Sequence, residues 1–186
     1  MISSFSIYTI TIPLVLALRA AEELCKIMNH SDLLKEVSTA LEIAKYRISE
    51  ELWSEEDGYY HAWWDKEKGS PSWLMSDLLY AQVWAYTLGL GHLEDPIRLR
   101  SHLTKELEIN DTLYGLRVIA TDHPTNKSVG SCPKDISTKN LNDLVALHES
   151  IWMGASPDWT TLQLHLGLDP QKALLQAEKA IEHVGS

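Results

Sequence analysis

A chain of 186 residues with 45% hydrophobic content can bury the core of one ordinary domain, which excludes a disordered segment. Its 16 basic and 26 acidic residues leave a net charge of -10, which repels phosphate backbones and anionic lipid head groups and excludes nucleic acid as a natural partner. Cys25 and Cys132 are too few for a disulfide framework and too far apart for a zinc knuckle, and read as free thiols of a reducing, cytoplasmic compartment.

Met1 to Leu18 carry no charged side chain, but they lack a basic n-region and Pro13 interrupts the run. They are read as a buried core helix with an extended lead-in rather than a signal peptide or integral membrane segment. Core-like residues directly after Met1 also suggest a truncated parent. Pro13 suits the first position of a helix in which Leu14, Val15, Ala17, Leu18, Ala21, Leu24, Cys25 and Met28 are apolar almost all round, so the helix belongs inside. After a turn at Asn29-His30-Ser31, with Ser31 or Asp32 as cap, a second helix is predicted from about Leu33 to Leu52. Leu34, Val37, Ala40, Leu41, Ala44, Ile48 and Leu52 share one stripe, and charged residues from Lys35 to Glu51 face water.

The alternation recurs. Ser76 or Asp77 can cap an apolar helix of Leu78, Leu79, Ala81, Val83, Trp84, Ala85, Leu88 and Leu90 that stops at Gly89 and Gly91. Asp95-Pro96 opens an amphipathic helix to about Leu107, with Arg98, Arg100, Lys105 and Glu106 on its polar face. From Asn110 to Asn140 helical rhythm is lost, and the segment reads as a long loop with one short strand near Tyr114 to Thr121. A third pair follows: an inner helix from about Leu141 to Ala155, a turn or short helix at Pro157-Asp158, and an outer helix from Asp169-Pro170 with Leu174, Leu175, Ala177, Ala180 and Ile181 as its stripe. The fold class is all-α with short β or loop insertions: one domain over residues 1–186, built of about three helical hairpins. That pattern matches half of an (α/α)6 toroid, and a free-standing helical bundle would have the same periodicity.

Between the first and second pairs the chain reads Leu52-Trp53, Asp57-Gly58-Tyr59-Tyr60, Leu74-Met75-Ser76-Asp77, Gln82, Trp84 and Leu88-Gly89-Leu90-Gly91, in that order. Later comes His148-Glu149-Ser150-Ile151-Trp152-Met153-Gly154. This series resembles the catalytic domain of glycoside hydrolase family 116, whose members carry a Leu-Trp-x-Gly-x-Tyr-Tyr turn, a Met-Ser-Asp helix ending in Gly-Leu-Gly, and a later Trp-x-Gly. Pro13, and Leu78-Leu79-Tyr80-Ala81 in place of the family's Gln-x-x-Gly, are departures. The resemblance implies the C-terminal portion of an (α/α)6 glycosidase domain, a retaining β-glycosidase acting on β-glucosides or glucosylceramide-like lipids. Its partners would be a carbohydrate or glycolipid substrate and the remainder of the parent catalytic domain.

A retaining glycosidase needs two carboxyl groups about 5 to 5.5 Å apart. In the resembled family the nucleophile, a Glu, and the acid/base, an Asp, precede the region that aligns here, and no carboxylate in this chain precedes Glu22. No catalytic residue is therefore assigned, and the chain alone is expected to be inactive. The resemblance implies a sugar-facing wall instead, with Asp77, Glu149 and Trp152 as substrate-binding candidates. The family's acidic residue aligns best with Ser150, so Glu149 stands about 100° away around the helix axis. It faces sugar, or it is a surface or internally paired acid. Asp77 equally suits a helix cap, satisfying free backbone N–H groups. Seven Trp and seven Tyr against one Phe suit sugar stacking, with Tyr59, Tyr60, Trp63, Trp64 and Trp73 clustered; packing explains half of these, and Trp84 and Trp152 suit a core as well. The eight histidines show no ligand spacing, and no phosphate loop or nucleophile motif occurs, so neither metal nor cofactor is expected. A noncatalytic helical binding or scaffold module, or another six-hairpin glycosidase such as a glucoamylase-like enzyme, are the alternatives.

Overall fold

The computed structural model describes residues 5–67, 69–70, 73–120, 151 and 155–184. The predicted inner helix at 141–155 lies almost wholly outside them, as do Cys132, Glu149 and Trp152. The described chain is mostly helical, with six helices and short strands. The helices are α1 (Tyr8–Ile27), α2 (Ser31–Arg47), α3 (Tyr80–Thr87), α4 (Pro96–Ile109), α5 (Ala155–His165) and α6 (Pro170–Val184).

Two of the expected boundaries follow simple chemistry. Asp95 caps α4 by accepting from the Ile97 N–H at 2.7 Å with Pro96 behind it, and Asp169 accepts from the Gln171 N–H at 2.9 Å ahead of Pro170. Gly89 and Gly91, at φ 70° and 75°, turn the chain after α3 in the left-handed region. Elsewhere the boundaries move. Pro13 lies inside α1, where it cannot donate to the carbonyl four residues back, and His30 rather than Ser31 or Asp32 caps α2. α2 ends at Arg47 in a π-helical turn, Ile48–Leu52, closed by the Trp53 N–H on the Ile48 carbonyl. This wide turn keeps Ile48 and Leu52 both fully buried while feeding the chain into a strand.

The strands make four antiparallel pairs. β1 (Phe5–Ile7) pairs with β4 (Trp63–Asp65), and β2 (Trp53–Ser54) pairs with β3 (Tyr59–Tyr60) across a turn at Gly58, φ 76°. β5 (Leu74–Met75) pairs with β8 (Ile119–Ala120), and β6 (Asp111–Thr112) pairs with β7 (Gly115–Leu116). The segment expected as a loop from Asn110 therefore opens with a tight hairpin, because Gly115 can reverse the chain after Thr112.

α1 and α2 pack as one hairpin and α5 and α6 as another, while α3 lies between α1 and α5. One core cluster runs through them, from Ile12 and Val15 of α1 by Leu41 and Ile48 to Leu99 and Leu103 of α4 and Trp159 and Leu162 of α5. The helices predicted to be apolar all round bury a stripe and not their whole circumference: Leu14, Leu24 and Ile27 of α1 and Met28 after it are exposed, and so are Trp84 of α3 and Leu88 after it. On α6 the buried positions are Ala173, Gln176 and Ala180, and the predicted Leu174, Leu175 and Ile181 face outward.

α4 is the helix to which the rest is tied. Asn110, fully buried at its end, donates to Leu74 O at 3.1 Å and Arg117 O at 2.9 Å. The Trp159 indole donates to Leu103 O at 3.1 Å, Arg100 donates twice to Leu166 O, and Ser101 donates to Gly58 O at 2.7 Å. Each bond ties a side chain to a backbone carbonyl of another element or loop.

Candidate functional site

Asp77 stands in the turn 76–79 between β5 and α3. The Ser76 N–H donates to Val118 O at 3.0 Å, extending the β5–β8 pairing by one bond. α3 starts at Tyr80 with Leu79 as its cap residue and no side-chain cap bond, so neither Ser76 nor Asp77 caps it; they lie too far back to reach its first N–H groups. Asp77 is half-buried, and its Oδ1 is closed off from water without a hydrogen bond. Burial holds its carboxyl above the usual carboxylate range, against the lowering pull of its own backbone N–H.

α4 brings a second carboxyl to the same region. Leu99, His102, Leu103, Glu106 and Asn110 recur at helical spacing and are all buried. Glu106, expected on the polar face, is 1% exposed, and its Oε2 makes no hydrogen bond. The Tyr60 N–H donates to His102 Nδ1 at 3.1 Å, so the ring proton sits on Nε2, which donates to Glu106 Oε1 at 3.2 Å. Burial, assisted by the nearby His61, pushes His102 down to about 3, so the ring is neutral. Burial, and then the charges of Asp77 and Asp158, hold Glu106 well above its ordinary value. Of the three acids Glu106 is the most buried.

Asp158 is the third, in the first turn of α5, one residue before the Trp159 that is bonded to α4. Burial raises its carboxyl, and the Asp77 charge raises it further. The arrangement therefore gathers three carboxyl groups whose protonated forms burial favours, and Asp77 Oδ1 and Glu106 Oε2 have no hydrogen-bond partner among the described residues. A hydroxyl group both donates and accepts, so a polyhydroxylated ligand complements such a set.

Of the three predicted binding residues, Asp77 is thus placed, and Glu149 and Trp152 lie outside the described residues. Glu106 and Asp158 were missed. The signal for Glu106 was present in α4, where His102, Glu106 and Asn110 share the stripe of Leu99 and Leu103. Among the aromatics, Tyr59 and Tyr60 are fully buried, and Tyr60 packs edge-on against Trp53 at 4.9 Å, so these are packing residues. Trp73 is buried, whereas Trp84 is 56% exposed.

A separate open groove of about 630 Å³ lies between α2 with its π-turn and the loop leading into α4, lined by Lys45, Tyr46, Ser49, Glu94 and Arg98 among others. Glu94 sits there with one oxygen buried and unbonded and the other 3.5 Å from the Tyr60 hydroxyl, and burial pushes its carboxyl up to about 7. Arg98 donates to Ser49 and Glu55 and lies 5.0 Å from the Trp53 ring centroid.

Among the described residues no three His, Cys, Asp or Glu side chains are arranged to hold a metal ion. No helix among them is long and apolar enough to cross a membrane. No family model matches the chain, and no curated protein matches its sequence.

Proposed function

We propose that the chain forms part of the sugar-enclosing wall of a retaining β-glycosidase, an (α/α)6 toroid of the family 116 kind acting on β-glucosides or glucosylceramide-like substrates in the cytoplasm. The nucleophile and acid/base belong to the remainder of the catalytic domain. The observation that carries the reading is the inward-turned Asp77 carboxyl with an unpartnered oxygen, beside the buried acid Glu106 and the carboxyl of Asp158. The row of α1, α3 and α5, with α2 and α6 packed on its two ends, is in keeping with inner and outer helices of a half-ring.

In this reading Asp77, half-buried, accepts from sugar hydroxyls, and Glu106, held by His102, backs the acid cluster from the interior. The chain alone then binds a glucose-like iminosugar but leaves an aryl β-glucoside intact. Tryptophan fluorescence titrated with the iminosugar is expected to saturate, with affinity at least about tenfold weaker in Asp77→Asn, about 1.4 kcal/mol. A flat titration, or one indifferent to Asp77, would favour a noncatalytic helical module. Turnover of the aryl glucoside would place the catalytic pair inside this sequence.

A further inference from the structure

The hairpin that follows β3 holds a second constellation, distant in kind from the acid cluster. His61 is buried between two side chains: its Nδ1 lies 2.5 Å from Ser70 Oγ, and its Nε2 lies 2.7 Å from Asp57 Oδ2. Asp57 is itself oriented, since Ser54 Oγ donates to the same Oδ2 at 3.0 Å and accepts from the Asp57 N–H at 3.1 Å. A carboxylate at Nε2 fixes the ring proton there and leaves Nδ1 as the acceptor for the Ser70 hydroxyl. That is the order of a hydroxyl nucleophile, a general base and an orienting acid.

The backbone around Ser70 adds to this. Asp65 and Gly69 exchange two bonds, Asp65 N–H to Gly69 O at 3.0 Å and Gly69 N–H to Asp65 O at 2.8 Å, which closes a tight turn directly before Ser70. Gly69 has φ 71°, and nothing stands within 4 Å of where its Cβ would be, so the turn is open beside Ser70. The serine is half-buried and not sealed. Its own backbone N–H makes no hydrogen bond among the described residues, and the nucleophile's own N–H is a common donor to the oxyanion in acyl transfer. Burial, opposed by the Asp57 carboxylate, lowers His61, so the ring is neutral and able to accept a proton at neutral pH.

We propose that Ser70, His61 and Asp57 form a nucleophilic triad that cleaves small activated carboxylic esters, an activity independent of any glycosidase role. As Ser70 Oγ bonds to the ester carbonyl carbon, its proton passes to His61 Nδ1 and the carbonyl electron pair moves onto oxygen, facing the Ser70 N–H. When that pair returns, the bond to the leaving alkoxide or phenolate breaks, and the leaving oxygen takes the proton from Nδ1. Water then attacks the acyl-serine by the same path, giving its proton to Nδ1, and Ser70 recovers it as the acid departs. Asp57 is a positioning residue throughout, holding the imidazole and stabilising its protonated form.

The test uses the purified chain with diisopropyl fluorophosphate, in which Ser70 Oγ displaces fluoride from phosphorus. Mass spectrometry is expected to find one adduct, mapped to the peptide bearing Ser70 and absent in Ser70→Ala. The labelling rate should fall at least about a hundredfold in His61→Gln, since a positioned base contributes about 10²- to 10⁴-fold, and by a smaller factor in Asp57→Asn. p-Nitrophenyl acetate should be hydrolysed with the same ranking of variants. If Ser70 carries no adduct while a known serine hydrolase reacts in the same tube, the three side chains are only a staple of the hairpin and the proposal is overturned. Labelling that persists in Ser70→Ala would overturn it as well. Ser70→Ala changes one half-buried hydroxyl, so this arm holds even if the His61 variant fails to fold.

Discussion

A carboxyl group whose burial outweighs the pull of nearby cations prefers its proton, and folding then becomes harder as pH rises through the interval between its unfolded and folded values. Glu94 is such a group, raised from 4.5 to about 7 chiefly by burial. Below about pH 4.5 both states are protonated and nothing is lost. Between about 4.5 and 7 the unfolded chain releases a proton that the folded one retains, and by about pH 8 the folded state is disfavoured by on the order of 3 kcal/mol. Glu94→Gln, which keeps the shape and removes the charge, should therefore raise the urea midpoint at pH 8 and leave it nearly unchanged at pH 4.5. Equal gains at both pH values would refute the account. Burial raises Asp77 in the same direction, so Asp77→Asn should stabilise the chain at neutral pH while weakening iminosugar binding. A residue whose removal helps folding and harms binding is hard to explain as a packing residue. Asp77 was legible in the sequence because it stands in a short motif; Glu106 was not, because an acid on a helix is assigned to solvent unless its neighbours on the stripe are weighed.

At the scale of elements, ends that depend on one side chain and its next two residues could be read directly. Asp95 needs only the Ile97 N–H and a Pro at the first helical position, and all of that is local. Asp95→Ala should cost about 1 kcal/mol in chemical denaturation, and a loss under about 0.3 kcal/mol would mean that α4 is held by packing alone. His30 as the cap of α2, the π-turn after it and the delayed start of α3 were not legible. The π-turn and the start of α3 adjoin β2 and β5, which take their positions from β3 and β8. Gly58 belongs with these cases. Its φ of 76° and the Ser101 Oγ 3.2 Å from a would-be Cβ make Gly58→Ala strained twice over, and a destabilisation of about 1–3 kcal/mol should appear in the thermal midpoint.

For the molecule as a whole, one core cluster spans α1, α2, α3, α4 and α5, so the chain should unfold in one transition. Leu103, fully buried and with its carbonyl bonded to Trp159, is at the centre of that connection. Leu103→Ala should lower stability by about 2–5 kcal/mol while the denaturation curve by circular dichroism and that by Trp fluorescence still coincide; two separated transitions would show that the hairpins fold independently. By itself the sequence determined that the chain is predominantly helical, where two of its caps and its glycine stops fall, and that Asp77 stands shortly before a helix, because those features depend on spacing and on contacts within a few residues. Only the tertiary structure decided which apolar faces are covered, that Glu106, His102 and Asn110 are interior, and that Ser70 meets His61 and Asp57. Burial and long-range proximity are properties of how elements pack, and a polar residue on a buried stripe looks the same in sequence as one that faces water.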